Sequence, residues 1–275
     1  MIQIDNLAFS YGAAPVLKNI TMKLEEGRIY GLLGENGVGK TTLLTLLAGL
    51  KRPNSGIIQV DGQTPFRREP SLLSLQYYLP DEVAPVPMKA EAFARATGVF
   101  WPRFSMDDFL SLMKELETDS TKRMDAMSAG QLKKTYISFA LACHPKYLYL
   151  DEPTNGLDIP SKSQFRAALM RYTSEDAVVV VSTHQVRDLE NVIDPIVILD
   201  KQDVLLNASL EEVSSKLFFD YGQELHPDAL YCEQLPGGFI QVCPNTTGAD
   251  SKVNIEALFN AVHRNKEIVK SLFKA

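Results

Sequence analysis

Gly34-Glu35-Asn36-Gly37-Val38-Gly39-Lys40-Thr41 fits the pattern G-x-x-x-x-G-K-[ST], and its setting decides the fold. On its amino side Arg28-Ile29-Tyr30-Gly31-Leu32-Leu33 reads as a buried strand. On its carboxyl side Thr42-Leu43-Leu44-Thr45-Leu46-Leu47-Ala48 contains no breaker and reads as a helix, so the glycines fall on the turn between the two. In that setting the backbone wraps phosphate groups with its N–H donors, and the helix N-terminus adds positive potential. Lys40 then reaches the β- and γ-phosphates, and the Thr41 hydroxyl ligates Mg²⁺. Gly34, Asn36, Gly37, Val38, Gly39, Lys40, Thr41 and Thr42 are therefore candidate nucleotide-binding residues. A glycine-rich turn that merely happens to carry a lysine would not need a strand before it and a helix after it.

Four further motifs follow in order. Met127-Ser128-Ala129-Gly130-Gln131 opens a helix reading through Leu132 to Ala142, and Tyr147-Leu148-Tyr149-Leu150-Asp151-Glu152 is an apolar strand ending in two carboxylates. Pro153-Thr154-Asn155-Gly156-Leu157-Asp158 comes next, and after the strand Val178-Val179-Val180-Val181-Ser182 stands the pair Thr183-His184. Asp151 suits the shell of a hard cation, which takes carboxylate and water oxygens. Glu152 points the opposite way from its neighbour on a strand. It is the better candidate to polarise an attacking water, since a general base must lie within hydrogen-bond reach of the proton it takes. Paired carboxylates are common at solvated strand ends, but here the strand is wholly apolar, which places them at the carboxyl edge of a parallel sheet where ligands bind.

In this order the motifs resemble those of the ATP-binding subunits of ABC transporters over residues 1-210, with Met-Ser-Ala-Gly-Gln standing where the family has L-S-G-G-Q. The resemblance implies an α/β fold. It has a P-loop NTPase core with a parallel sheet, an antiparallel β-subdomain, a helical subdomain inserted at about 83-140, and a small C-terminal α+β extension at 217-275 whose role stays open. It implies an ATPase that uses ATP and Mg²⁺ and powers an exporter-type membrane transporter, ATP closing a dimer and hydrolysis reopening it. The implied partners are transmembrane subunits and a second ATP-binding subunit, identical or different. The implied place is cytoplasmic, on the inner face of the cell membrane through the membrane partner. His184 takes the position of the switch histidine that hydrogen-bonds the γ-phosphate. Tyr11 takes that of the aromatic stacking on adenine, although a hairpin tyrosine equally fills a half-buried surface. Ser128, Gly130 and Gln131, with Ala129 among them, are expected to act on the other protomer's nucleotide, and Asp158 is counted with the nucleotide-binding residues.

One motif departs from the family. Leu73-Ser74-Leu75-Gln76-Tyr77-Tyr78-Leu79 reads as a strand running into Pro80-Asp81-Glu82, and register with the family's Y-L-P-E variant puts Asp81 where a switch glutamine usually stands. A carboxylate there can still ligate Mg²⁺, so the expected metal set is Thr41, Asp81 and Asp151, with Gln76 an ordinary strand residue. The alternative reading is a soluble ABC-type ATPase serving a cofactor-assembly or other non-membrane scaffold. Asp200-Lys201-Gln202-Asp203 has the outline of the guanine-reading N-K-x-D, but its first residue is wrong and a charged turn explains it.

With 275 residues, 45% hydrophobic and 23% charged, the chain has room for one large domain and an appendage. A net charge of −6 argues against a nucleic-acid surface. No apolar run reaches the ~20 residues that span a membrane, and Met1 leads straight into Ile2-Gln3-Ile4, which leaves no room for a signal peptide. Cys143 reads as core, and Cys232 and Cys243 flank a turn at Pro236-Gly237-Gly238. A hairpin is expected at Gly56 to Gly62, and helices at Ala90 to Thr97 and Met106 to Leu116, with the cluster Phe100-Trp101-Pro102-Arg103-Phe104 between them suiting an interface centre and a core corner equally. After the strand Pro195 to Leu199, a turn at Lys201 to Asp203 leads into Val204-Leu205-Leu206, and Ser209 with Glu212 forms a capping box. Beyond Leu217 the sequence predicts strands at Leu230 to Gln234 and Phe239 to Val242. A final helix then carries the stripe Ile255, Leu258, Phe259, Val262, Val269, Leu272 and Phe273.

Overall fold

The computed structural model describes residues 1-200 and 202-273. The chain opens with β1 (Ile2–Tyr11), β2 (Ala14–Leu24), β3 (Arg28–Leu33), α1 (Lys40–Leu47) and β4 (Ser55–Val60). A short α2 (Pro70–Leu73) precedes β5 (Gln76–Leu79), and three helices follow: α3 (Ala90–Gly98), α4 (Met106–Glu115) and α5 (Ala129–Ala142). Then come β6 (Tyr147–Asp151), α6 (Ile159–Tyr172), β7 (Val178–Thr183), β8 (Ile196–Asp200), β9 (Asp203–Ala208) and α7 (Leu210–Lys216). The chain closes with β10 (Leu217–Gly222), β11 (Tyr231–Leu235), β12 (Gly238–Pro244), α8 (Ile255–Arg264) and α9 (Lys266–Phe273).

Six strands form the central sheet in the order β5-β6-β7-β3-β8-β9, parallel except for the edge strand β9. β6, β7 and β3 lie side by side, with Asp151 opposite Ser182 and Leu33 opposite Thr183. That register delivers the phosphate-binding turn, the carboxylates and His184 to one edge of the sheet, which is how strands with no sequence proximity build one site.

The period of two in these strands sorts their side chains between two cores. Tyr147, Tyr149, Val178 and Val180 face one side, where α1 and the antiparallel sheet β2-β1-β4 cover them. Leu148, Leu150, Val179 and Val181 face the other, under α3 to α6 and the C-terminal residues. α1 is enclosed, and every residue of it but Thr41 is buried. Leu43, Leu44, Leu46 and Leu47 are all buried, and each side chain is worth roughly 1.5–3 kcal/mol of transfer out of water.

Several expectations are corrected. Gly56 to Gly62 is not a hairpin: β4 pairs with β1, and the tight turn at Asp61-Gly62 closes between Val60 and Gln63. Leu73 to Leu75 do not extend β5, because Pro70 opens a helical turn that ends at Leu73. Glu212 completes no capping box: Ser209 accepts from its N–H at 3.1 Å, but its side chain pairs with Lys216 at 2.7 Å. The turn expected at Lys201 to Asp203 begins on a residue outside the described ones. β10 was not expected, and it is one edge strand of the sheet β10-β12-β11. The final helix is two helices, separated at Asn265, whose side-chain amide donates to the Leu230 and Ala261 carbonyls.

The aromatic cluster divides between both expected roles. Phe139, fully buried on α5, is ringed by Tyr77, Phe93, Trp101, Phe104 and Phe109 with centroids 4.9 to 6.4 Å away. The Trp101 indole N–H donates to the Gln76 carbonyl at 3.0 Å. Val99 and Phe100, immediately before Trp101, remain 76% and 68% exposed.

Candidate functional site

The turn between β3 and α1 needs its glycines for space and for backbone conformation. A Cβ on Gly34 would stand 2.7 Å from both the Leu199 carbonyl oxygen and a Val38 methyl, and Gly39 adopts φ 110 immediately before the helix. Lys40 is 6% exposed and curls back over this turn, donating to the carbonyls of Gly34 at 2.7 Å and Glu35 at 3.2 Å. Burial pushes its pKa down, opposed by the charges of Glu152 and Asp151. These three groups therefore stand together at the sheet edge.

Asp151 ends β6 at 1% exposure, where a carboxylate needs partners. The Ser182 hydroxyl donates to it at 2.5 Å and the Tyr78 hydroxyl at 3.4 Å. Burial, and next the Asp151 charge, raise the Tyr78 pKa. β6 stops at Asp151, so Glu152 is not the last strand residue but the first of a turn, with a left-handed backbone at φ 45. That conformation costs a non-glycine residue on the order of 1–3 kcal/mol. It is held by the Glu152 N–H, which donates to the Ser182 carbonyl and hydroxyl, each at 3.1 Å. The turn aims the Glu152 carboxylate at His184 Nδ1, 2.9 Å away, and at the Lys40 ammonium, 3.8 Å away. His184 is half exposed and lines a cleft of about 230 Å³ with Gly34, Glu35, Asn36, Thr183 and Phe259.

The remaining candidates fall into separate groups. Tyr11 ends β1 half exposed, its hydroxyl 3.4 Å from the Thr42 hydroxyl and the Lys51 ammonium 4.8 Å from its ring centroid. The Thr42 bond lowers the Tyr11 pKa, with Lys51 acting in the same direction. Asp158 caps α6 by accepting from the Ser161 N–H at 2.9 Å, and the Ser161 side chain, followed by that N–H, holds its pKa down. Ser128 caps α5: its hydroxyl accepts from the Gln131 N–H at 3.3 Å, and the Gln131 side chain accepts from the Ser128 N–H at 3.2 Å. Ala129 and Gly130 begin that helix, and Gly130 comes close to the Gly156 carbonyl. Asp81 faces the same loop, its carboxylate accepting from the Asn155 amide at 3.1 and 3.3 Å. Gln76 is more than an ordinary strand residue, being buried with its amide donating to the Ala48 carbonyl at 3.2 Å.

Sequence reasoning missed Tyr78 and Ser182 beside Asp151, Asn155 beside Asp81, and Lys133, which also reaches Asp81. Of these only Lys133 had a spacing signal, since it precedes the buried Ile137 and Leu141 at intervals of four on α5. Ser182 meets Asp151 only through the parallel register of β6 and β7.

Among the described residues no cluster of three or more His, Cys, Asp or Glu side chains could hold a metal by itself. The oxygens at this edge, the Asp151 carboxylate and the Thr41 hydroxyl, nevertheless suit Mg²⁺, which is bound by one or two carboxylates with substrate phosphates and water completing its shell. No helix among the described residues is long and apolar enough to cross a membrane.

Comparison with known proteins agrees with the motifs. The family described as ABC transporter matches residues 17–155. An uncharacterized ABC transporter ATP-binding protein of Methanocaldococcus jannaschii is 28% identical over 84% of this chain and 88% of its own. The energy-coupling factor transporter ATP-binding protein of Methanosphaera stadtmanae is 30% identical over 78% of this chain and 81% of its own. Among solved structures, the dimeric structure of a bacterial ABC transporter cassette superposes with a TM-score of 0.68 at 22% identity, covering 76% of this chain and 99% of that one. This last likeness shows the fold.

Proposed function

This chain belongs to the ABC transporter ATP-binding family, and from that premise we propose that it is the energy-coupling ATPase of a membrane transporter, with Glu152 as the base that activates water. The observation that carries the proposal is the Glu152 carboxylate, turned off the end of β6 by a strained backbone and held between Lys40 and His184. A general base must be placed before it can be basic. The strained turn places this one, and His184 and Lys40 orient it. Lys40 is ready to exchange its own loop's carbonyls for phosphate oxygens, a charge-assisted contact stronger than the ones it leaves. Asp151 and the Thr41 hydroxyl would hold Mg²⁺, which would supply positive charge to offset that of the phosphate oxygens.

Tyr11 stacks on the base and Thr42 follows the phosphate loop, while Ser128, Gly130 and Gln131 present the N-terminus of α5 to the nucleotide of a second ATP-binding subunit. ATP closes that dimer and hydrolysis reopens it. Residues 1-210 form the ATPase domain with its helical subdomain at about 83-140, and 217-275 an extension. The exporter direction carries over from the motif resemblance. The apolar depression of about 700 Å³ rimmed by Leu50, Val99 and Phe100 seats a helix of the membrane partner, a reading supported by the exposure of Val99 and Phe100.

The test is Glu152→Gln in the full chain. ATP binding is expected to persist while hydrolysis falls by ~10²-fold or more, the contribution of a positioned base. Near-normal turnover in that variant would remove Glu152 from the role.

A further inference from the structure

Lys133 is a cation on an apolar helix face. It is 4% exposed on α5, in line with the fully buried Ile137. Its ammonium donates to the backbone carbonyls of Asp81 at 2.6 Å and Pro80 at 3.3 Å, and stands 3.6 Å from the Asp81 carboxylate. From the other side the Asn155 amide donates to both oxygens of that carboxylate. Asp81 is thus held by α5, the helix that begins at the signature segment Met127-Ser128-Ala129-Gly130-Gln131, and by the loop that follows Glu152.

Burial disfavours the Lys133 ammonium, and the field of Asp81, followed by those of Asp151 and Glu152, supports it. A buried charge is tolerated when it is paired and hydrogen-bonded, and breaking the pair leaves the other member uncompensated. A carboxylate at position 81 adds a third negative charge to those of Asp151 and Glu152 in the field at Lys133, whereas a neutral amide there would not. Cation and carboxylate therefore belong together in this chain.

Resting on the nucleotide-site reading above, we infer that Lys133 is a positioning residue: it ties the Asp81 loop to the signature helix and supplies the charge that lets a carboxylate occupy the switch position. A displacement of α5 then moves Asp81 through one side chain, which joins the helical layer to the nucleotide site.

The experiment uses the full-length chain as Lys133→Met, which keeps the stem and removes the charge, as Asp81→Asn, and as the double variant. Lys133→Met is expected to lower kcat about tenfold with ATP affinity, titrated with a fluorescent ATP analogue, within about twofold of wild type, a loss at the transition state rather than in binding. Adding Asp81→Asn should recover part of that loss, because the uncompensated carboxylate is gone. The melting temperature of the nucleotide-free protein reads the same cycle without turnover: Lys133→Met should be lowest, and the double variant should melt above it. Packing alone predicts losses that add. Additive losses in both readouts, or wild-type kcat in Lys133→Met, would overturn the inference. A wild-type chain that neither binds nor hydrolyses ATP would defeat the nucleotide-site reading instead, and the melting cycle would still decide the role of Lys133.

Discussion

At the scale of single residues, Tyr11 has two partners that pull toward different roles. Its ring lies edge-on to Phe9, with centroids 5.0 Å apart, and under the Lys51 ammonium, while its hydroxyl meets Thr42. Half of the ring remains open to solvent, so a flat ligand can stack on it without displacing a core contact. Stacking uses the ring and not the hydroxyl. Tyr11→Ala is therefore expected to weaken ATP binding by about fivefold to 150-fold, the equivalent of the roughly 1–3 kcal/mol that base–aromatic stacking contributes, while Tyr11→Phe binds within about twofold of wild type. Equilibrium titration of both variants is the check, and wild-type affinity in Tyr11→Ala would make the residue structural. What was legible at this scale is what depends on local pattern: the glycines of the phosphate turn, Lys40, Asp151 at the end of its strand, and the helix start at Ser128-Ala129-Gly130-Gln131. The contacts that were not legible, Tyr78 and Ser182 to Asp151 and Asn155 to Asp81, join positions separated by 31 to 74 residues and depend on which strands lie side by side. The left-handed Glu152 was hidden for a different reason, since nothing in the residue type announces a strain that only its surroundings sustain.

At the scale of elements, the long apolar strands read correctly because a parallel strand buried on both faces has no polar residues to confuse its boundaries. Short or interrupted elements did not. Pro70 to Leu73 form a helical turn where the apolar run looked continuous with β5, and Asn265 divides a stripe whose helical spacing continues on both sides. The extension is fastened by polar contacts that no periodicity encodes: Lys266 and Lys270 pair with Asp200 and Asp203, and Arg187 pairs with Glu256 at 2.7 Å. Phe259 consequently reaches the cleft that His184 lines. The same distinction between pattern and contact separates Trp101 from Phe100. Trp101 closes the core against Phe139, whereas the Phe100 side chain, 68% exposed, contributes little to the fold. Phe100→Ser should therefore shift the melting temperature by no more than about 2 °C, because exposed substitutions fall within about ±0.5 kcal/mol. The ATPase activity of the isolated chain should stay unchanged, while stimulation by the membrane partner is lost. Full stimulation in that variant would move the docking surface elsewhere.

At the scale of the whole molecule, the candidate groups divide over two surfaces. Lys40, Asp151, Glu152 and His184 gather at the carboxyl edge of the central sheet. The start of α5 instead lies beside Asn155 and Gly156, lining a cleft of about 500 Å³ with Asp81 and Lys133. Ser128 has committed its hydroxyl lone pair to its own helix through the cap, but its exposed position and the helix N-terminus leave N–H groups turned outward, a site suited to an anion. A phosphate brought there by a second subunit would satisfy them, so hydrolysis is expected to need two protomers. Wild-type chain should be largely monomeric without nucleotide. Glu152→Gln should dimerise with ATP and Mg²⁺, because it binds the ligand that closes the dimer and cannot complete the cycle that opens it. Adding Ser128→Arg places a bulky cation where a compact hydroxyl and backbone N–H groups should meet the γ-phosphate, and is expected to abolish the dimer while ATP still binds the monomer. Size exclusion with light scattering reports mass, and nucleotide titration reports binding, so the two effects separate cleanly. A Ser128→Arg, Glu152→Gln chain that still dimerises on ATP would reduce Met127-Ser128-Ala129-Gly130-Gln131 to an ordinary capped helix start.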